Sequence, residues 1–168
     1  MKLYKRYEEN YVPKTLYLCS PVPIEKLNFR KNIVYWCNEN IMKAIENCDE
    51  NLRVQANVNY IYSFDIPSST KVVDMTDIID PYYQHLKKVF NKSYQKRYNK
   101  DVTDEGFLKN YANSMLFKHN KEFLVFLVEQ GVDLVKVKDS SFSGRFMSFG
   151  LLSDKHIRNF KLSKEVLR

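Results

Sequence analysis

The stretch Val54–Ile66, "VQANVNYIYSFDI", carries the strongest secondary-structure signal in the chain. Apolar or aromatic residues occupy every even position, whereas the odd positions are polar apart from Ile61. Successive side chains of a strand point to opposite faces, so this alternation predicts one long strand with its even-numbered face buried and its odd-numbered face outside. Pro67 and the serines after it are expected to end the strand.

A second strand is predicted in "TLYLCSPVPIEKL", Thr15–Leu27, where leucines alternate with Tyr17 and Cys19. Two prolines follow Ser20, and proline has no N–H to donate to a ladder, so pairing should stop at Ser20. Four further extended segments are expected: Asn32–Cys37, "KVVDM" (71–75), Val132–Lys138 and Arg145–Leu152, the last two joined by the polar loop "DSSFSG" (139–144).

Helices are predicted from capping residues and apolar spacing. Asn38 or Asn40 can cap a helix that places Ile41, Ile45 and Cys48 on one face. Further helices are expected over Asp80–Tyr98, from Thr103, from Asn120 to Gly131, and from Asp154 to Phe160. This order predicts a single α+β domain over residues 1–168, with a curved, mainly antiparallel sheet and a helical block between its N-terminal and C-terminal strands.

The net charge of +7 is concentrated on one predicted helix, where Lys88, Lys92, Lys96 and Lys100 repeat every four residues. This spacing places them on one helix face, which is expected to be exposed and to contact an anionic partner such as a nucleic acid or a nucleoprotein. The alternative is a solvated face without a partner.

The remaining composition excludes several classes. The longest apolar run, Phe123–Val128, is far shorter than the roughly 20 residues of a membrane helix, and the first residues lack a signal peptide's apolar core. A cytoplasmic location without membrane contact is therefore expected. The cysteines Cys19, Cys37 and Cys48 form no CxxC pair, so we expect reduced thiols and no zinc site.

Phosphate-loop, dinucleotide-fold, zincin and hydrolase-elbow motifs are absent from the sequence. Four stretches instead follow one another in a familiar order: "LYLCSPVPIEKL" (16–27), "IVYWCNENIMKA" (33–44), "NYIYSFDIPSSTKVVDM" (59–75) and "GVDLVKVKDSSFSGRFMSFGLLS" (131–153). In this order the chain resembles the ADP-ribosyltransferase fold, especially small phage and bacterial members that include an anti-CRISPR transferase.

The resemblance implies an enzyme that binds NAD, cleaves the glycosidic bond to nicotinamide and transfers ADP-ribose to a host macromolecule, as a phage or mobile-element counter-defence protein would. Tyr35 matches the family's aromatic position against nicotinamide, and Ser20 and Tyr17 lie on the strand that would form a wall of the NAD pocket. Asp139 is the nearest carboxylate to the position of the family's catalytic glutamate, with Asp154 and Glu39 as the next candidates.

Two positions depart from the family pattern. The histidine of the family's first strand is replaced by Leu18, and Arg145 stands where an acid or an amide is expected on a late strand. These departures favour an alternative, a non-enzymatic inhibitor or nucleic-acid-binding module that keeps the fold without the chemistry. Without the resemblance, Tyr35 reads as a core residue, Ser20 as a strand end and Asp139 as a turn former.

Overall fold

The computed structural model describes residues 11–29, 34–52, 58–74, 88–89, 91–92, 95–96, 121–141 and 144–167. In chain order the elements are β1 (Thr15–Ser20), β2 (Tyr35–Cys37), α1 (Ile41–Leu52), β3 (Val58–Asp65), β4 (Val72–Asp74), α2 (Lys121–Glu129), β5 (Leu134–Ser141), β6 (Gly144–Leu151) and β7 (Arg158–Leu167). The α+β class predicted from the sequence is confirmed.

The strands form two sheets rather than one. The first has the order β1-β3-β7 and the second β2-β6-β5-β4, with β4 and β5 parallel and every other pair antiparallel. The sheets meet where the backbone N–H of Tyr17 donates to Asn38 at 2.7 Å and that of Asn38 donates back at 3.0 Å. The strands that were predicted to form one curved sheet therefore form two sheets, which this antiparallel bridge links.

The main core lies between the two sheets. Leu16 and Leu18 of β1 pack with Tyr62 and Phe64 of β3. From the second sheet come further buried residues, namely Cys37, Val72, Leu134, Phe149 and Leu151. Even-numbered residues of β3 therefore line the core, as its alternation predicts.

The prediction that the odd-numbered face of β3 lies outside is wrong. Asn59, Ile61 and Ser63 are all buried. Helix α1 covers this face, where the Cys48 thiol lies 3.9 Å from the Asn59 side-chain oxygen. Polar residues at alternate positions suggested a solvated face, but here they are enclosed beneath a helix. One support for the predicted sheet, and for the resemblance built on it, is thereby lost.

Two predicted helix ends are found in the structure. The side-chain oxygen of Asn40 accepts hydrogen bonds from the backbone N–H groups of Met42 at 2.8 Å and Lys43 at 3.3 Å, so Asn40 caps α1. Helix α2 ends at Glu129, and Gly131, two residues later, has a left-handed φ of 77°. Residues 88, 89, 91, 92, 95 and 96 of the helix predicted over Asp80–Tyr98 are helical.

Several other predictions lie outside the described residues: the helix from Thr103, the cap at Asn120, the Lys100 end of the basic stripe, and residues 53–57 of the long strand.

Two local predictions are wrong. The segment after Asp154 forms no helix, because Arg158–Leu167 is strand β7, paired with β3. The predicted loop "DSSFSG" is also longer than the connection in the structure, because the ladder between β5 and β6 continues to Ser141 and Gly144. Asp139 consequently lies within a strand, opposite Phe146, and does not open a loop. In both places strand pairing outweighs a local capping or turn signal.

The three cysteines are reduced thiols, as predicted. Burial raises the pKa of the Cys37 thiol. A search of the described residues finds no helix with the length and apolar character needed to cross a membrane.

Candidate functional site

The exit from β1 is held in a fixed conformation. The Ser20 hydroxyl donates to the carbonyl oxygen of Val22 at 2.6 Å and accepts from its N–H at 3.2 Å. Farther along the loop, the Ile24 N–H donates to the Tyr62 hydroxyl at 2.6 Å. The two prolines thus end the ladder at Ser20 as predicted, and the loop is then tied back onto the core.

Tyr35, at the start of β2, holds the next part of this loop. Its hydroxyl accepts from the Asn28 N–H at 2.9 Å and donates to the Asn28 carbonyl oxygen at 3.3 Å. Its ring meets Phe29 edge to face, with centroids 5.2 Å apart and planes at 75°. Both polar capacities of the hydroxyl are used within the chain, so Tyr35 positions residues 28 and 29.

An open cavity of about 510 Å³ lies at this loop. Its lining residues are chemically mixed: Lys26, Leu27, Asn28, Phe29 and Asp154. Leu27 is buried, Phe29 is half-buried, and the three polar residues are exposed. Residues that carry a cation, an amide, an aromatic ring and a carboxylate therefore line one volume, which is of the size usual for small-molecule sites.

The loop that carries Asp154 is anchored to the second sheet by Asp133. The carboxylate of Asp133 is nearly buried, accepts from the Lys71 N–H at 3.3 Å and lies 3.2 Å from Nδ1 of His156. The backbone N–H of Leu152 donates to the Asp133 carbonyl oxygen at 2.9 Å. Contacts on both sides of Asp154 thus hold its loop.

Asp139 and Tyr35 are not brought together. Tyr35 is in register with Leu151, which is in register with Leu134, so these three positions lie side by side across the sheet. Asp139 is five residues beyond Leu134 on β5, or about 16 Å along the strand. The backbones of the two residues are therefore well separated, and a joint role of Tyr35 and Asp139 in an NAD site stays a prediction.

The other predicted residues are also separated. Tyr17 is half-buried on the face of β1 opposite to Leu16 and Leu18, and Leu18 itself is a core residue with 5% of its surface exposed. Arg145 is opposite Ser140 in the ladder between β5 and β6. Tyr35 adjoins the cavity through its contacts with Asn28 and Phe29.

Glu39 belongs to a different polar cluster. It accepts a hydrogen bond from the Tyr11 hydroxyl at 3.1 Å, and this bond, with some desolvation, raises the pKa of Tyr11. The Lys136 ammonium lies 5.8 Å from the Tyr11 ring centroid and 3.7 Å from the Asp74 carboxylate. Glu39 is four residues beyond Tyr35, past the other end of β2, so Asp154 is the one predicted carboxylate beside the cavity.

The described lysines of the basic stripe, Lys88, Lys92 and Lys96, are helical and exposed as predicted. Whether they contact a partner stays a prediction. Within the described ranges, no three His, Cys, Asp or Glu side chains are grouped so that they could hold a metal ion.

Sequence reasoning missed Lys26, Asn28, Phe29 and the pair formed by Asp133 and His156. The spacing of Ile24 and Leu27 is a weak signal that this loop is anchored, but no motif links it to residue 154. Comparison of the chain with protein-family models, curated proteins and solved structures finds no match.

Proposed function

We propose that the protein is an NAD-dependent ADP-ribosyltransferase that acts on a host macromolecule in the cytoplasm, with the open cavity beside Tyr35 as its NAD site. One observation carries the proposal: a single volume of about 510 Å³ is lined by an aromatic ring, an amide, a lysine and a carboxylate. These are the groups that a nicotinamide riboside with an attached pyrophosphate requires. The sequence resemblance supplies the choice of reaction.

Each lining residue has a role in this proposal. The Phe29 ring offers a face for nicotinamide, and the Asn28 side chain offers hydrogen bonds to a ribose. Lys26 would neutralise the pyrophosphate, and NAD when bound supplies the ADP-ribosyl group and nicotinamide as its leaving group. The Asp154 carboxylate would stabilise positive charge that develops on the ribose, a charge larger in the transition state than in the bound substrate.

Tyr35 takes a positioning role instead of the direct contact that the resemblance implies. Its hydroxyl and ring edge already hold residues 28 and 29. Tyr35→Phe should therefore weaken NAD binding several-fold by releasing Asn28, while the fluorescence-monitored unfolding midpoint changes little. Unchanged binding would show that the loop keeps its conformation without the hydroxyl.

Asp154 and Asp139 provide a matched pair of variants. Asp154→Asn should lower turnover about 100-fold or more while NAD affinity changes only a few-fold, whereas Asp139→Asn should behave as wild type. Nicotinamide release and transfer of label from NAD to host-lysate proteins would be measured together. If Asp139→Asn is the inactive variant, the cavity is not the site; if wild type neither binds nor consumes NAD, the enzymatic proposal fails.

The second candidate is a non-enzymatic module that binds nucleic acid or a nucleoprotein. It is favoured by the exposed lysines Lys88, Lys92 and Lys96 on one helix face. Reversing all three to glutamate should weaken binding to a labelled oligonucleotide and lower the slope of log K against log salt by about two to three units, as the loss of three phosphate contacts predicts.

The control for this experiment reverses three exposed lysines elsewhere, Lys14, Lys71 and Lys155, and so changes the net charge equally. If both triple variants lose affinity alike, the binding reflects net charge and not the stripe. If neither loses affinity, the stripe is a solvated face.

A further inference from the structure

Strand β7 carries basic residues at every third position: Arg158, Lys161 and Lys164. In a regular strand this spacing would place the middle residue on the face opposite to the other two. The observed register is different, because Arg158 pairs with Asp65, Lys161 with Ser63 and Lys164 with Ile61. All three partners are odd-numbered residues of β3, so the three basic residues lie on one face.

Two irregularities in β7 produce this arrangement. One lies between the pairs at Ser63 and Asp65, where Asn159 has a left-handed φ of 56°. The other lies between Ile61 and Tyr62, where Ser163 is the extra residue of the bulge. Each irregularity adds one residue to β7. Basic residues that are three apart on β7 therefore pair with residues that are two apart on β3, a step of about 7 Å. Arg158, Lys161 and Lys164 are called the basic row below.

The basic row lies on an accessible edge. β7 is the last strand of the described β1-β3-β7 sheet, and all three basic side chains are exposed. Asp65, held by Asn159 and influenced by Lys161, offsets part of the charge near Arg158. Asp65 thus lowers the net positive charge at the Arg158 end of the row, and Lys164 lies at the other end, opposite Ile61.

The other face of β7 carries two exposed leucines and one exposed acid, Glu165, which pairs with Tyr60 and lies between them. Leu162 and Leu167, paired with Tyr62 and Val58, are 47% and 79% exposed. A strand placed beside β7 would thus meet a basic row on one face and, on the other, two leucines with one glutamate between them.

We propose that the outer edge of β7 binds an extended acidic segment of a partner protein by strand addition, with acidic residues at alternate positions and apolar residues between them. Backbone hydrogen bonds would supply affinity, while acidic side chains opposite the basic row and apolar side chains beside Leu162 and Leu167 would supply specificity. A second copy of the chain is the poorer occupant, because an antiparallel β7 would bring two basic rows together, and like charges directly opposite one another are destabilising.

This inference does not depend on NAD chemistry. It would give a transferase a means of holding its target, but it stands equally for a protein without catalysis.

The test uses the full chain and a labelled peptide of about nine residues, the length of a strand, with glutamate alternating with valine or threonine. Fluorescence anisotropy measures affinity, and amide hydrogen exchange of β7 measures added pairing. One control peptide has the same composition with its glutamates consecutive, and another carries N-methyl groups on alternate amides. We expect saturable binding of the alternating peptide alone, with slower exchange in β7.

Matched protein variants test the basic row. Lys161→Glu with Lys164→Glu should weaken peptide binding at least about tenfold, whereas Lys71→Glu with Lys155→Glu, of equal charge change, should not. Exchanging neighbours, as Lys161→Leu with Leu162→Lys, keeps the composition but moves a charge to the other face, and it should also weaken binding. All these positions are exposed, and circular dichroism checks that the variants fold.

Three results would overturn the proposal. The first is no binding of the alternating peptide. The second is equal binding of the N-methylated or block peptide, which would mean charge attraction without strand addition. The third is a single-stranded oligonucleotide that binds more tightly than the peptide and depends on Lys161 and Lys164, which would make the row a nucleic-acid contact.

Discussion

At the scale of single residues, Asp65 links three strands. Its carboxylate accepts hydrogen bonds from Asn159 of β7 at 2.8 Å and from Thr15 of β1 at 3.1 Å. These two hydrogen bonds, of which the one from Asn159 is the larger cause, hold the pKa of Asp65 below its usual range. The nearby charge of Lys161 also lowers this pKa, and desolvation opposes the hydrogen bonds. Because the folded pKa is depressed, the stabilisation is present above the ordinary value near 3.9 and is lost as the pH falls through the folded pKa.

Removing the partners of Asp65 should raise its pKa in a fixed order. Asn159→Gly should raise it more than Thr15→Val, since the Asn159 bond is the larger cause. Glycine is the suitable replacement because it adopts the left-handed φ of 56° without strain. A pH titration of the Asp65 carboxyl carbon by NMR measures both shifts, and a larger shift for Thr15→Val would contradict this account.

Gly150 on β6 is required for close packing. A Cβ there would lie 2.8 Å from Val135, 2.9 Å from Val34 and 3.0 Å from Trp36. We expect Gly150→Ala to lower the free energy of unfolding by about 1–3 kcal/mol, as for other overpacked interiors, measured by urea denaturation. Gly131→Ala is the comparison, because its cost would come from the φ of 77° while the nearest atom stands at 3.6 Å. A neutral Gly150→Ala would mean that this part of the sheet can move apart.

At the scale of elements, the start of α1 is fixed by Asn40. Asn40→Ala should lower the free energy of unfolding by about 1 kcal/mol, because the N–H groups of Met42 and Lys43 lose their acceptor. Asn40→Asp keeps an acceptor and should be close to wild type. Urea denaturation compares the two, and equal losses would show that the side-chain cap contributes little.

The elements also show what the sequence can reveal. The end of β1 and the cap of α1 depend on neighbouring residues, and both were predictable. The C-terminal strand was not predictable. Phe160 and Leu162 lie on its core face, but two bulges interrupt the period of two residues on which strand prediction depends. The burial of Asn59 under α1 was hidden for a related reason, since polarity signals a solvated face unless a helix covers it.

At the scale of the whole molecule, the cavity combines segments that no local pattern connects. Residues 26–29 follow β1, whereas Asp154 follows β6, and the sheets bring them together. Tyr35, which the resemblance singled out, is bonded to Asn28 of this loop, whereas Asp139, its candidate acid, lies about 16 Å along β5 from the position in line with Tyr35. Strand register, which decides such distances, depends on pairing partners far apart in sequence.

The same dependence makes Phe160 a test of the architecture. Its ring stacks on Tyr62 with centroids 5.1 Å apart and planes at 2°, and it lies 6.1 Å from the ring of Phe64. It thereby fastens the last strand to the core between the sheets. Phe160→Ala should lower the free energy of unfolding by about 2–3 kcal/mol, less than for a fully buried ring, and should accelerate amide exchange throughout β7.

Leu162→Ala is the matched control for Phe160→Ala, because Leu162 is on the same strand and the same face but is 47% exposed. It should cost about 1 kcal/mol or less and leave exchange in β7 slow. Urea denaturation and hydrogen exchange on both variants separate anchoring by the aromatic stack from general loss of apolar surface. If Leu162→Ala proved as damaging as Phe160→Ala, β7 would be held along its whole length, and the accessible edge proposed for an acidic strand would be part of a larger packed surface.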